Sequence, residues 1–238
     1  MFTSEITNRE GKIVARVVFS DKSGGYSQDR FAGLNLANHV GDAPIAVGYN
    51  RAIFAERLGL PVAKLTWPEL IHSADVGVVD ADIETFPNVD ALISTKRKRG
   101  LVTMGADCAM LLMVDPENKV IGSSHIGWQG AAADALGNFY SAFESLGGKM
   151  KSSHLFLGPS ICANCYKVSE DRIAAVAKYL PDAVVGDGID IRLGIAAVAK
   201  AKGLKVQVVG GCTSCDSNYY SYRRDGVTGR QGGAVVLL

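Results

Sequence analysis

The chain has 238 residues, 47% hydrophobic and 21% charged, with a formal net charge of +1. That length suits one sizeable domain, and the composition is that of a globular protein with a real core. The near-neutral charge excludes a global field that would gather nucleic acid or an anionic membrane, so any affinity for phosphate must be local.

Met1 to Glu10 shows no basic stretch followed by an apolar run, and no run of about 18 uncharged apolar residues occurs anywhere, so a cytoplasmic protein is expected. Residues 12–19 (KIVARVVF) read as an opening strand, followed by a Gly/Ser/Asp-rich loop from Ser20 to Arg30 and irregular chain to Gly41. Asp42 and Pro44 predict a helix start, the apolar spacing Val47, Ile53, Phe54, Leu58 supports the helix, and Gly59 ends it. Short apolar runs then follow at Leu65–Ile71, Val76–Val79, Ala91–Ser94, Leu101–Met104, Met110–Val114 and Val120–Ser124. The last two flank Asp115-Pro116-Glu117-Asn118, a turn-like spacer, and predict a hairpin. Lys96 to Arg99 (KRKR) reads as a solvated turn. Trp128 to Leu146, rich in alanine, predicts one long helix. Strand 155–157, helices 170–180 and 191–202, strand 205–209 and a short strand 234–237 complete the pattern. The order is α+β with mixed strands layered with helices rather than a regular βαβ alternation, within one domain spanning residues 1–238.

Several chemistries are missing. The sequence contains no GxxxxGK[ST], no GxGxxG after a strand, no HExxH and no GxSxG. No histidine has a glutamate two residues on, which removes the zinc deaminases built on H-x-E and P-C-x-x-C. Four histidines are too few for a true multicopper oxidase.

What is present is sparse. His72 ends the run LTWPELIH, Cys108 lies at the edge of ADCAMLL, and His125 ends VIGSSH. Three metal-capable residues thus sit at ends of predicted strands, with Asp107 beside the cysteine as an acid/base or supporting group. Each is also accounted for singly: a cysteine in an apolar run is an ordinary small buried residue. The gaps of 36 residues from 72 to 108 and 17 from 108 to 125 match no short zinc motif. Residue chemistry therefore leaves both readings open. Cys162-x-x-Cys165 and Cys212-x-x-Cys215 form two CxxC pairs. They are either a four-cysteine zinc site, across an unusually long spacer, or free thiols at loop ends. Five cysteines in a reducing compartment argue against structural disulfides. In Ser221-Tyr222-Arg223-Arg224-Asp225-Gly226, adjacent arginines on a strand would point opposite ways, one to a site and one to an acid such as Asp225. The alternative is a surface ion-pair cluster.

Several motifs occur in order: GLNLANHVGD (33–42), Asn50-Arg51, Asp90-Ala91-Leu92-Ile93-Ser94-Thr95, Ala106-Asp107-Cys108 and Ser124-His125-Ile126-Gly127-Trp128. They continue with Gly158-Pro159-Ser160-Ile161, Cys165-Tyr166, Cys212-Thr213 and SYRRDGVTGRQ. Together they resemble the YfiH family, also called the laccase-domain or polyphenol oxidase family and, in bacteria, the peptidoglycan editing factor family. The resemblance runs from about residue 15 to the C-terminus. It implies a single α/β domain of layered sheets and helices, with a metal held by His72, Cys108 and His125. It implies purine nucleoside chemistry: phosphorolysis of adenosine, inosine and methylthioadenosine, and deamination of adenosine, with zinc as cofactor and copper as the older label. Purine nucleoside and phosphate are the expected partners, without nucleic acid or membrane, in a monomer or homodimer. Cys108 and Asp107 are the expected catalytic residues, and Arg51, Arg223 and Arg224 the expected phosphate holders. The CxxC pairs fall where the family carries cysteines without a second metal. The chain departs from the family pattern at Leu70, Met110 and Gln129, where glutamine, proline and arginine are usual. Those departures point to a changed substrate pocket. Rival readings are a metal-free Cys–His hydrolase, cytosolic editing of peptidoglycan precursors, a copper polyphenol oxidase, and a non-catalytic protein with a structural metal.

Overall fold

A computed structural model describes residues 1–238. In chain order the strands are β1 (Phe2–Thr7), β2 (Ile13–Phe19), β3 (Leu65–Pro68), β4 (Val76–Val78), β5 (Thr85–Phe86), β6 (Ala91–Ser94), β7 (Gly100–Gly105), β8 (Ala109–Asp115) and β9 (Val120–Ile126). They continue with β10 (His154–Leu157), β11 (Val184–Val185), β12 (Gly188–Ile189), β13 (Lys205–Val208) and β14 (Gln231–Leu237). The helices are α1 (Pro44–Leu58), α2 (Trp128–Ala132), α3 (Ala135–Ser145), α4 (Glu170–Ala177), α5 (Ile191–Ala201) and the single turn α6 (Tyr222–Asp225).

Two six-stranded mixed sheets, ordered β1-β2-β14-β7-β3-β5 and β13-β10-β8-β9-β6-β4, carry the fold. Side chains on a strand alternate between faces, and that alternation builds the layers. On β2, Ala15, Val17 and Phe19 meet Met110, Leu112 and Val114 of β8 in a core between the two sheets. Val18 points the other way, to Phe54 and Leu58 of α1. On β8, Leu111 and Met113 face outward to Phe139 and Phe143 of α3 and Ile195 of α5. The result is four layers: helix, sheet, sheet, helices. No helix is long and apolar enough to cross a membrane.

Most predicted elements stand where local chemistry put them. Gly59 ends α1 in the left-handed region at φ 73°, where glycine carries no steric penalty. The β8–β9 hairpin pairs Asp115 with Val120 across the predicted turn. Four readings need correction. The helix expected over 128–146 is broken: Asp134 sits at φ 61° and its side chain accepts from Gly137 N to start a second helix. Gly130, just before the break, lies so near Ser73 O that a Cβ there would stand 2.9 Å away, so α2 packs closely on the site loop. The short terminal strand is a central one, pairing β2 and β7. Arg99 is not solvated but 2% exposed; it donates to the carbonyls of Ala63 and Ile83 and pairs with Asp82 at 2.9 Å. Finally, Arg223 and Arg224 lie on the helical turn α6 rather than on a strand.

Candidate metal centre

The site forms where the chain crosses between the sheets. β7 belongs to the first sheet and β8 to the second, so Ala106 to Cys108 spans the gap at one end of the sandwich. The loop from β3 to β4, which carries His72, makes a second crossing at the same end. His125 stands near the end of β9, opposite Met110 in the hairpin, and so faces the Cys108 turn. One donor atom each from His72, Cys108 and His125 lies within 4.8 Å of the others. The imidazoles meet edge to face, with centroids 4.9 Å apart.

Asp90 organises this trio. It is 1% exposed and precedes β6. One carboxylate oxygen accepts from His125 Nδ1 at 2.8 Å and from His72 N at 3.0 Å. The other accepts from Ser73 N at 2.7 Å and Ile71 N at 3.2 Å. Carboxylate bonding at Nδ1 fixes the His125 tautomer and leaves Nε2 to ligate a metal. The backbone bonds hold His72 at φ 61°, a left-handed conformation that a histidine needs outside support to keep.

Gly127 leaves the remaining room. A Cβ there would lie 3.0 Å from His72 Cδ2 and 3.1 Å from Cys108 Sγ. Burial pushes the Cys108 thiol up, but His125 and His72 outweigh it and bring the thiol down to about 6. Burial likewise opposes protonation of His125, yet Cys108 and Asp90 raise it to about 9. Two imidazoles and a thiolate are a good donor set for a divalent transition ion, and His72, Cys108 and His125 would hold it at the wall of a cavity.

That cavity has a volume of about 520 Å³. Besides the trio and Asp107, its walls include Trp128, Tyr166, Ile161 and Ile191, and its cations are Arg172, Arg223 and Arg230. The Arg172 guanidinium lies over the Trp128 ring at 4.5 Å and that of Arg223 over Tyr166 at 4.9 Å. Asp107 stands at φ 99°; its oxygens accept from Thr213 Oγ1 at 2.6 Å and Arg223 N at 2.7 Å. Ser160 presents a buried hydroxyl without a partner in the same wall.

Of the arginines singled out in the sequence, Arg223 alone lines the cavity. Arg51 donates to Leu36 O and lies 3.9 Å over Trp67, and burial lowers it to about 10. Arg224 is consumed by Asp225 and by the carbonyls of Thr213, Ser214, Asp216 and Tyr219. Arg172 and Arg230 were missed as site residues, as was the role of Asp90. Arg172 sits on α4 and carries no local signal; Arg230 and Asp90 were visible only as members of motifs. Leu70 lines the cavity, whereas Gln129 is exposed and does not. Met110 is packed between the sheets and Met113 against the helices; Met104 is the one methionine lining the cavity.

The model of a family described as multi-copper polyphenol oxidoreductase laccase matches residues 16–238. The chain belongs to that family. It is 36% identical to a purine nucleoside phosphorylase of Corynebacterium glutamicum, over 93% of this chain and 94% of that one. It is 36% identical to another purine nucleoside phosphorylase, of Streptomyces griseus, over 94% of each chain. Among solved structures, the YlmD protein of Geobacillus stearothermophilus matches with a TM-score of 0.86 at 26% identity, covering 98% of this chain and 99% of that one. The YfiH hypothetical protein of Bacillus licheniformis shares the fold at a TM-score of 0.87 and 24% identity, over 94% and 93% of the two chains.

Proposed function

We propose that this laccase-family chain is a zinc-dependent purine nucleoside phosphorylase that cleaves adenosine, inosine and S-methyl-5′-thioadenosine with phosphate and also deaminates adenosine. The observation that carries the reading is the meeting, in one cavity of about 520 Å³, of a His2Cys donor set, aromatic walls and three arginines. The names of the relatives from Corynebacterium and Streptomyces support the same substrate class. A zinc ion held by His72, Cys108 and His125 would supply Lewis acidity and bring the pKa of water toward neutrality.

The remaining work falls to side chains. Trp128 and Tyr166, with Ile161 and Ile191, offer flat apolar faces to a purine. Arg172 and Arg223 present guanidinium forks that fit phosphate oxygens, and Arg230, whose Nη1 donates to the carbonyls of Thr228 and Gly229, adds its positive charge to the same wall. Phosphate held there faces the sugar C1′ as positive charge develops in the transition state, and its own charge stabilises that centre. Asp107, whose oxygens accept from Thr213 Oγ1 and Arg223 N, is the residue we assign to accept or return a proton beside Cys108.

Zinc fits better than copper on ligand supply. Four histidines in the whole chain cannot build a multinuclear copper cluster, and Met104, Met110 and Met113, the methionines near enough in sequence to be considered as axial ligands, are all buried in hydrophobic cores, with Met104 alone also bordering the cavity. A second reading has its own observation: Cys108, His125 and Asp90 form a relay of the kind that activates a thiol nucleophile without metal.

Protein purified without added metal, analysed for metal and incubated with adenosine with and without phosphate, separates these readings. Adenine with ribose 1-phosphate, or inosine, is expected from zinc-loaded protein and is lost on chelation. Absence of all three products from metal-replete protein sinks the proposal. Chelator-insensitive activity that is blocked by alkylating Cys108 transfers it to the thiol reading.

A further inference from the structure

A second constellation of metal-ligating side chains lies outside the nucleoside cavity. Cys162 and Cys165 follow β10, while Cys212 and Cys215 follow β13. These strands are parallel neighbours, so both CxxC turns leave the sheet at the same end despite the long stretch between them. A parallel bridge from Ser160 to Cys212 carries the pairing into the turns themselves. The four Sγ atoms all lie within 4.8 Å of one another, and Cys165 and Cys215 approach to 3.3 Å.

The geometry points to a structural zinc ion bound by the thiolates of Cys162, Cys165, Cys212 and Cys215, a closed tetrahedral centre distinct from the His2Cys site. Zinc–sulfur bonds of about 2.3 Å put tetrahedral sulfurs about 3.8 Å apart, so the ion fits with shifts of a fraction of the present spacings. All five cysteines are free, and 3.3 Å is far longer than the roughly 2.05 Å of a disulfide. Both loops are closed into turns by backbone bonds that bring their two cysteines together. Cys165 N and Tyr166 N bond to Cys162 O, and Asp216 N bonds to Cys212 O. Cys162 N donates to Cys212 Sγ at 3.3 Å, the kind of N–H to sulfur bond that supports a thiolate ligand.

Charge is arranged to match. Four thiolates around a divalent ion carry a net charge of about −2. Arg192 donates to the carbonyls of Gly158, Gly210 and Gly211, and Arg224 to those of Thr213, Ser214 and Asp216. Two guanidinium charges therefore bracket the cysteine loops. Binding zinc would displace the thiol protons and form four sulfur–metal bonds with no change of oxidation state.

The clasp has a consequence for the neighbouring cavity. Thr213, between the second pair of cysteines, donates to Asp107, and Ile161, beside the first pair, donates to Asp107 O at 2.9 Å. Fixing the two loops to one ion fixes the residue next to Cys108 from both sides. The ion is thus a positioning device without an open coordination place for substrate. The four-cysteine centre stands apart from the nucleoside reading, and only the wild-type count of two rests on zinc at the His2Cys site as well.

Metal stoichiometry tests it directly. Native mass spectrometry and elemental analysis of reduced protein should give two zinc ions per chain in the wild type and one in His72→Ala. Cobalt loading of His72→Ala should give the intense visible bands and thiolate charge-transfer absorption of a four-thiolate tetrahedral centre. Cys165→Ser/Cys215→Ser should lose that spectrum. Should this double variant fail to fold, the zinc count and the cobalt spectrum of His72→Ala still decide. A His72→Ala protein that binds no zinc or cobalt after anaerobic reconstitution overturns the proposal. So does recovery of the cysteines as disulfides from freshly reduced, zinc-supplied protein.

Discussion

Asp90→Asn changes one atom in a 1% exposed side chain, yet it should loosen the metal centre. The carboxylate accepts four hydrogen bonds, two at each oxygen, from Ile71, His72 and Ser73 N–H and from His125 Nδ1. A carboxamide has an acceptor on one side only, so its NH2 must face two donors. If the amide oxygen takes the side of His72 and His125, the Ile71 and Ser73 N–H groups lose their acceptor and the turn bearing His72 is released. In the other orientation, His125 loses the group that fixes its tautomer. Two stranded donors cost about 1–3 kcal/mol each, or about 2–6 kcal/mol together, and loss of an orienting partner costs about 10–100-fold in metal affinity. The affinity is read by competition against a chromophoric chelator, and the stability by denaturant melts of the metal-free protein. Wild-type zinc affinity in folded Asp90→Asn protein would refute the assigned role, even if the apo protein were destabilised.

Gly127→Ala should also weaken metal binding while leaving the fold intact, because its Cβ would press on His72 and Cys108 at 3.0 and 3.1 Å; unchanged metal affinity in the same competition assay counts against the close fit. Arg223→Ala should raise the KM for phosphate roughly tenfold to a hundredfold, the worth of a charge-assisted contact of about 1.5–3 kcal/mol, whereas Arg224→Ala should mainly lower thermal stability. Equal effects of the two on phosphate KM would remove that distinction. Burial raises the Asp115 carboxyl, but hydrogen bonds from Asn118, Lys149 and Ser152 outweigh it and hold it below its ordinary value. With the folded pKa below the unfolded value of about 3.9, this stabilisation is complete above the unfolded pKa and is lost as pH falls through the folded one. Urea midpoints measured below about pH 5 should therefore fall less steeply for Asp115→Asn than for the wild type, and parallel slopes would contradict the assignment.

Some of this protein was legible locally. The end of α1 at Gly59, the β8–β9 hairpin around Asp115 and the bounds of β6 depend on neighbours in sequence, and they came out as read. β1 escaped because FTSEIT alternates weakly, and β5, β11 and β12 are two residues long, too short for any period to register. The break at Asp134 escaped because alanine-rich sequence is helical on either side of it, and the pull of the Ser73 loop on α2 is a long-range contact. Arg99 escaped because a basic run looks solvated unless the carbonyls waiting for it, 36 and 16 residues away, are known.

The candidate centre divides in the same way. The sequence by itself determined the donor types and the motifs that tie His72, Cys108 and His125 to a family, since these are properties of residues and their near neighbours. Only the tertiary structure decided distance: that two crossings between the sheets bring the trio within 4.8 Å, and that Asp90 stands behind two of its members. It also decided that Arg172 and Arg230 face the cavity while Arg51 and Arg224 are occupied elsewhere, and that two CxxC turns meet beside parallel strands. Strand order is set by long-range packing and pairing across the whole sheet, and a linear chain does not display which of its ends will lie side by side.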